Sequence, residues 1–170
     1  MTGEDLRALQ APLKEKYRET PQAAVVTLKG QGRLGEGVSC GVGTHAGGVN
    51  AGLHPATGGD GTEACSADML LEALAACAGV TLRAVATAIG LNLKGGTVTA
   101  EGEVDFRGTL GVAKDAPIGF REIRLRFDLD TDASQEQVDK LVNLTERYCV
   151  VYQTLRNAPP IAVSKGRVTT

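Results

Sequence analysis

Four cysteines, Cys40, Cys65, Cys77 and Cys149, are the residues of this chain best suited to covalent chemistry. They are scattered without any CxxC spacing, which argues against a structural zinc site and, in a chain that reads as cytosolic, against a disulfide framework. A cysteine also serves as a small core residue, so reactivity has to be argued from its surroundings. Cys77 lies in the middle of SADMLLEALAACAGVTLRAVATAIG, residues 66–90. A free thiol has a pKa of roughly 8.5, so only a few per cent is thiolate at neutral pH. Burial on an apolar helix face raises that value, and the middle of a helix is too far from its N-terminus for help from the dipole. A nucleophilic Cys77 is therefore expected to need a cation. Lowering its pKa by about two units takes roughly 2.7 kcal/mol of differential stabilisation. A guanidinium suits that task because it stays charged and hydrogen-bonds in a fork.

The elements that must position these thiols follow from hydrophobic period and punctuation. Met69, Leu70, Ala73, Leu74, Cys77, Val80, Thr81, Ala84 and Ala88 recur at steps of three and four, predicting one apolar stripe on a long helix. Ser66 reads as its N-cap, Asp68 puts an acid in the first turn, and Gly90 is suited to its C-terminus. Its many alanines allow another backbone, from a second helix or a symmetry mate, to come close. Upstream, residues 4–18 carry a helical pattern that Pro12 is expected to break or kink. Residues 23–29 (AAVVTLK) and 38–43 (VSCGVG) read as a strand pair, and residues 44–64 as a long Gly-rich connection.

Downstream, residues 97–106 and 118–130 alternate as a second, long hairpin, with Phe120 out of phase and a bulge expected near Arg121. Ser134 and Gln137 form a capping box ahead of a further helix. Residues 148–155 read as another buried helical segment with a bend near Cys149, and residues 161–168 as a returning edge strand. The order implies an α+β fold with antiparallel sheet.

Several functions are disfavoured. A chain of 170 residues is one domain by size, and a net charge of −2 gives no electrostatic footprint for nucleic acid or an anionic membrane. No apolar run is read as a membrane span, and residues 1–20 lack a signal-peptide core, so a cytoplasmic location is expected. His45 and His54 lack ligand spacing and read as surface residues, so no metal is expected. The glycines follow neither a GxGxxG nor a Walker pattern, and no nucleotide or other cofactor is expected.

At residues 66–81, and again at 146–155, the chain resembles the family of osmotically inducible protein C (OsmC) and organic hydroperoxide resistance (Ohr) proteins. The family's central helix opens with Pro and an acid, runs through a Leu-rich turn and reaches a cysteine eleven residues after the Pro. SADMLLEALAAC fits with Ser66 at the Pro position and Cys77 at the cysteine. Gly58-Gly59-Asp60-Gly61 matches a stretch common before that helix, and Cys149 in ERYCVVYQTL matches the second family cysteine.

The resemblance covers about Ala23 to the C-terminus, giving an N-terminal helical arm at 1–22 and one OsmC-like domain at 23–170. It implies an intertwined homodimer in which antiparallel sheets clasp central helices. It also implies a thiol peroxidase: Cys77 attacks an organic hydroperoxide, Cys149 resolves the sulfenic acid as an intramolecular disulfide, and a thiol or dithiol reduces that disulfide. For the supporting Arg–Glu pair, Arg33 resembles the family arginine of the first hairpin and Asp68 the acid, with Glu72 and Glu63 as alternatives; Arg83, six residues after Cys77, is expected to face elsewhere. Ser66, Ala67 and Val150 depart from the Pro, Glu and Pro of the best-known peroxidases and place the chain nearer the OsmC-like branch. The alternative is a non-catalytic member that binds a small ligand or senses redox state.

Overall fold

A computed structural model of the protein describes residues 1–44 and 47–167. The elements run, in chain order, α1 (Gly3–Glu19), β1 (Gly32–Leu34), β2 (Cys40–Thr44), β3 (Gly47–Gly52), β4 (Ala64–Cys65), α2 (Ser66–Ile89), β5 (Leu93–Val104), α3 (Phe106–Thr109), β6 (Phe120–Thr131), α4 (Gln135–Tyr148) and α5 (Val150–Arg156). Short 3-10 turns occupy Pro21–Ala24 and Pro55–Thr57. Strands β1 to β4 form one sheet, antiparallel except where β3 meets β4, and β5 and β6 form a separate antiparallel hairpin. The fold is α+β, as expected.

The long hairpin follows its alternation closely. Ile123, Leu125, Phe127 and Leu129 turn inward, and Glu122, Arg124, Arg126 and Asp128 turn to solvent. The expected bulge is present: Glu103 pairs with Glu122 but Val104 pairs with Phe120, leaving Arg121 as the extra residue. Phe106, however, leaves the strand to open α3, where the Asp105 side chain accepts from Arg107 N–H.

Helix α2 packs against β5, α4 and α5. Leu82, Ala86, Leu93 and Leu141 make the buried core, walled by Val85, Leu91, Val98, Phe127 and Leu129. The buried ridge of α2 is Leu74, Ala78, Leu82 and Ala86, so the expected stripe through Cys77 flanks the core rather than filling it. Cys65, not Ser66, is the N-cap, and it makes no side-chain capping bond. Gly90 ends the helix in the left-handed region (φ 71°), where a side chain would be strained. By length and composition α2 is apolar enough to cross a membrane, contrary to the expectation that no run is; 22% of that stretch is buried within the chain.

Two expectations fail for one reason, the absence of a pairing partner among the described residues. Residues 23–29 are not a strand: Pro21–Ala24 is a 3-10 turn and the chain then runs unpaired to β1. Residues 161–167 carry no strand either, and Val168 lies outside the described residues. The reverse error occurs at 44–64, where β3, a 3-10 turn and β4 replace the expected loop. Helix α1 continues through Pro12 instead of stopping there, with Thr2 and Asp5 forming a capping box.

Candidate functional site

Cys77 sits half-buried near the middle of α2, three residues after buried Leu74 and one before buried Ala78. Cys149 reaches it from the other side. The chain breaks at Cys149, whose extended backbone (φ −73°, ψ 109°) is both the C-cap of α4 and the N-cap of α5. The bend expected from sequence is thus a complete interruption, and its chemical consequence is specific. A helix start leaves its first N–H groups without intrahelical partners. In α5 the Gln153 N–H is taken by the Cys149 carbonyl at 2.9 Å, whereas the N–H groups of Val150, Val151 and Tyr152 are directed at the two thiols.

This geometry splits the two sulfurs electrostatically. Burial pushes the Cys77 thiol up, but the Val151 N–H, the Cys149 thiol, the Val150 N–H and the Thr81 hydroxyl oppose burial and bring it below the ordinary thiol value. For Cys149, which is 1 % exposed, burial likewise pushes the thiol up. The Tyr152 and Val151 N–H groups pull it back, while a hydrogen bond to Cys77 and the Cys77 charge reinforce burial, and the net direction is upward. Both cysteines are free. An ionised Cys77 accepting from a protonated Cys149 is the state in which one sulfur is a nucleophile and its neighbour a reserve thiol.

Within one chain the main influences that lower Cys77 are backbone N–H groups and two side-chain donors, with no guanidinium among them. Sequence reasoning missed Thr81 in this role, although its spacing of four residues from Cys77 on a helix was visible. Backbone donors carry no residue-type signature; the one available signal was the bend near Cys149.

The remaining candidates are dispersed. Arg33 is exposed on β1, opposite Gly41. Asp68 lies in the first turn of α2, exposed, on a cavity of about 410 Å3 shared with His54, Cys65, Phe120 and Arg121. Arg83 faces away, as expected, donating to the Leu93 and Lys94 carbonyls. His54 is not a plain surface residue: its Nδ1 accepts from Ala56 N–H at 3.0 Å and its ring stacks on Phe106 at 5.0 Å. His45 lies outside the described residues. Cys40 opens β2, and Tyr148 is exposed beneath the Arg147 guanidinium. Among the described residues no group of three His, Cys, Asp or Glu is placed to hold a metal ion.

A cavity of about 510 Å3 opens between β6 and the helices α2, α4 and α5. Its walls include Leu74, Phe127 and Val142, with Arg121, Glu146, Tyr152 and Arg156 as polar groups, and neither Cys77 nor Cys149 lines it. The thiols and this cavity are therefore neighbours, joined by Leu74 on α2 and Tyr152 on α5, but not one chamber.

Comparison with known proteins gives this arrangement a context. Residues 59–164 match the family described as OsmC-like protein. No curated protein matches. Among solved structures, an OsmC-like protein from Mycoplasma pneumoniae is similar at a TM-score of 0.66 and 18% identity, over 78% of this chain and 89% of that one. The organic hydroperoxide resistance protein OsmC from Legionella pneumophila, described as a predicted redox protein, gives a TM-score of 0.62 at 18% identity, over 78% and 93%. A putative organic hydroperoxide resistance protein from Vibrio cholerae, with captopril bound in one of its active sites, gives 0.58 at 20% identity, over 79% and 89%. The family match spans well over half of the chain and includes both cysteine-bearing segments, and the chain belongs to the OsmC-like protein family.

Proposed function

We propose that this protein takes part in the redox-stress response as a cysteine-based peroxidase that reduces organic hydroperoxides to alcohols. One observation carries the reading: two free thiols, distant in sequence, interact at the α4–α5 break, with Cys77 biased toward thiolate and Cys149 toward thiol. The names of the similar Legionella and Vibrio structures agree with it.

In the reaction the Cys77 thiolate attacks the terminal peroxide oxygen and the O–O bond breaks. The alkoxide takes a proton and leaves as the alcohol, and Cys77 becomes a sulfenic acid. Cys149 then attacks that sulfur, releasing water and forming the Cys77–Cys149 disulfide. Two equivalents of an external thiol, or one dithiol, return both cysteines to the reduced state. In this reading Arg33 and Asp68 are the cation and acid on the substrate side. Neither is among the main influences on Cys77 within one chain, so their contribution belongs to the assembled homodimer that the family resemblance implies, in the cytoplasm.

The test is consumption of cumene hydroperoxide with a dithiol reductant. Cys77→Ser is expected to fall to background, whereas a Cys77→Ser protein that matches wild type ends the enzyme reading. The separate cavity of about 510 Å3 favours the second reading, a non-catalytic binder of small ligands. That reading expects a Cys77 pKa at or above the free-thiol value.

A further inference from the structure

The break at Cys149 is bridged by a side-chain relay that the reaction as written does not use. The Tyr152 hydroxyl, on the first turn of α5, donates to Glu146 Oε2 on the last turn of α4 at 2.9 Å. The Tyr152 hydroxyl oxygen in turn accepts from Arg156 Nη1 at 3.3 Å. Gln153 Nε2 adds a bond to the Glu146 carbonyl at 2.8 Å. All of these bonds cross or flank the residue that carries the second thiol. A seven-residue helix attached through one extended residue has little intrinsic stability, so its orientation depends on such tertiary ties. The direction of its first N–H groups depends on that orientation in turn.

We propose that Tyr152 is a positioning residue for Cys77: by tying α5 to Glu146 across the break, its hydroxyl holds the Val150 and Val151 N–H groups against the Cys77 sulfur. Tyr152 touches neither reacting oxygen nor reacting sulfur through its side chain, and it acts only through the backbone it orients. This inference rests on the peroxidase reading, which requires a thiolate at Cys77. Among the strongest influences on that sulfur the one titratable group is Cys149, so a pH profile of Cys77 reports mainly on the donors and on that thiol.

The experiment is site-resolved alkylation of the full-length reduced protein with iodoacetamide across pH 5–10, read by peptide mass spectrometry. Tyr152→Phe keeps the ring and removes the hydroxyl. It is expected to move the Cys77 midpoint upward and to slow alkylation at neutral pH about three- to tenfold. Glu146→Ala removes the other half of the tie and is expected to give the same shift. The double variant should go no further, because the two changes break one interaction. Glu146→Gln, which keeps an accepting oxygen, should restore most of the wild-type profile, an outcome that a loss of general stability would not produce. A wild-type midpoint already below the free-thiol value, left in place by Tyr152→Phe and by Glu146→Ala, overturns the positioning role alone. A wild-type midpoint at or above the free-thiol value overturns the peroxidase reading and this inference with it.

Discussion

With Cys77 ionised, Cys149 faces a neighbouring negative charge, and part of its raised pKa comes from that charge and from the hydrogen bond it gives to the thiolate. Both contributions vanish when Cys77 becomes a neutral sulfenic acid. Burial still opposes ionisation of Cys149, but the Tyr152 and Val151 N–H groups still favour it. In the proposed reaction the site would therefore make the second thiol more acidic at the step where it attacks, with no movement of the backbone. Cys77→Ser mimics the loss of charge. In that variant Cys149 is expected to alkylate at lower pH than in wild type, while Cys149→Ala should raise the Cys77 midpoint by removing a donor. The sign is fixed by the chemistry: taking away a like charge lowers an acid's pKa, and taking away a donor to a thiolate raises it. A Cys149 profile that does not move in Cys77→Ser would show that the two sulfurs are electrostatically independent. At this scale the sequence exposed both thiols but not their polarity, because N–H groups belong to every residue alike.

The stretch Gly58-Gly59-Asp60-Gly61 works at the scale of the element, as the approach to β4 and α2. Asp60 Oδ1 accepts from Thr62 N–H at 2.9 Å and from its hydroxyl at 2.7 Å, which holds the Asp60 carboxyl below the usual range. At Gly59 the backbone of Leu53 comes so close that a Cβ would lie 1.8 Å from its carbonyl oxygen. No rotamer change relieves a clash with backbone. Gly59→Ala is therefore expected to destabilise the fold by about 1–3 kcal/mol, as overpacking does elsewhere. Gly43→Ala, where nothing stands within 4 Å and φ is not positive, should leave the urea midpoint nearly unchanged. Equal midpoints for the two variants would contradict the close approach. The motif was legible in the sequence as a resemblance; its physical reason, one backbone passing another, appears only with the fold. Long periodic elements such as α2, the β5–β6 hairpin and the capped α4 were legible because each satisfies its own pattern. The Ala23–Lys29 segment misled because β propensity without a partner makes no strand.

At the scale of the molecule the inner core is thin for a chain of this length, and many large apolar side chains stand in solvent. Val25, Val26 and Leu28 precede β1, Ile161 and Val163 follow α5, and Leu70 and Val80 lie on α2 outside its buried ridge. Val80 is 73 % exposed and Leu28 87 %. On α2, Leu70, Ala73, Ala76 and Val80 recur at helical spacing with small residues among them, a surface on which a second backbone can close. Each large side chain covered on association contributes about 1.5–3 kcal/mol relative to exposure. The homodimer that the proposed function invokes would give these residues a common partner, and would give the unpaired terminal segments a strand edge to join. Wild-type protein is accordingly expected to sediment at twice the 17.6 kDa chain mass at micromolar concentration. Val80→Asp places a charge in the middle of the covered face, where an unpaired carboxylate cannot be desolvated cheaply. That variant should shift toward the monomer and lose hydroperoxide turnover in the same concentration range, whereas Lys14→Asp on the solvent side of α1 should do neither. A wild type that sediments as a single chain at those concentrations would mean that the apolar face of α2 has some other use, and would remove the setting in which Arg33 and Asp68 are assigned their roles.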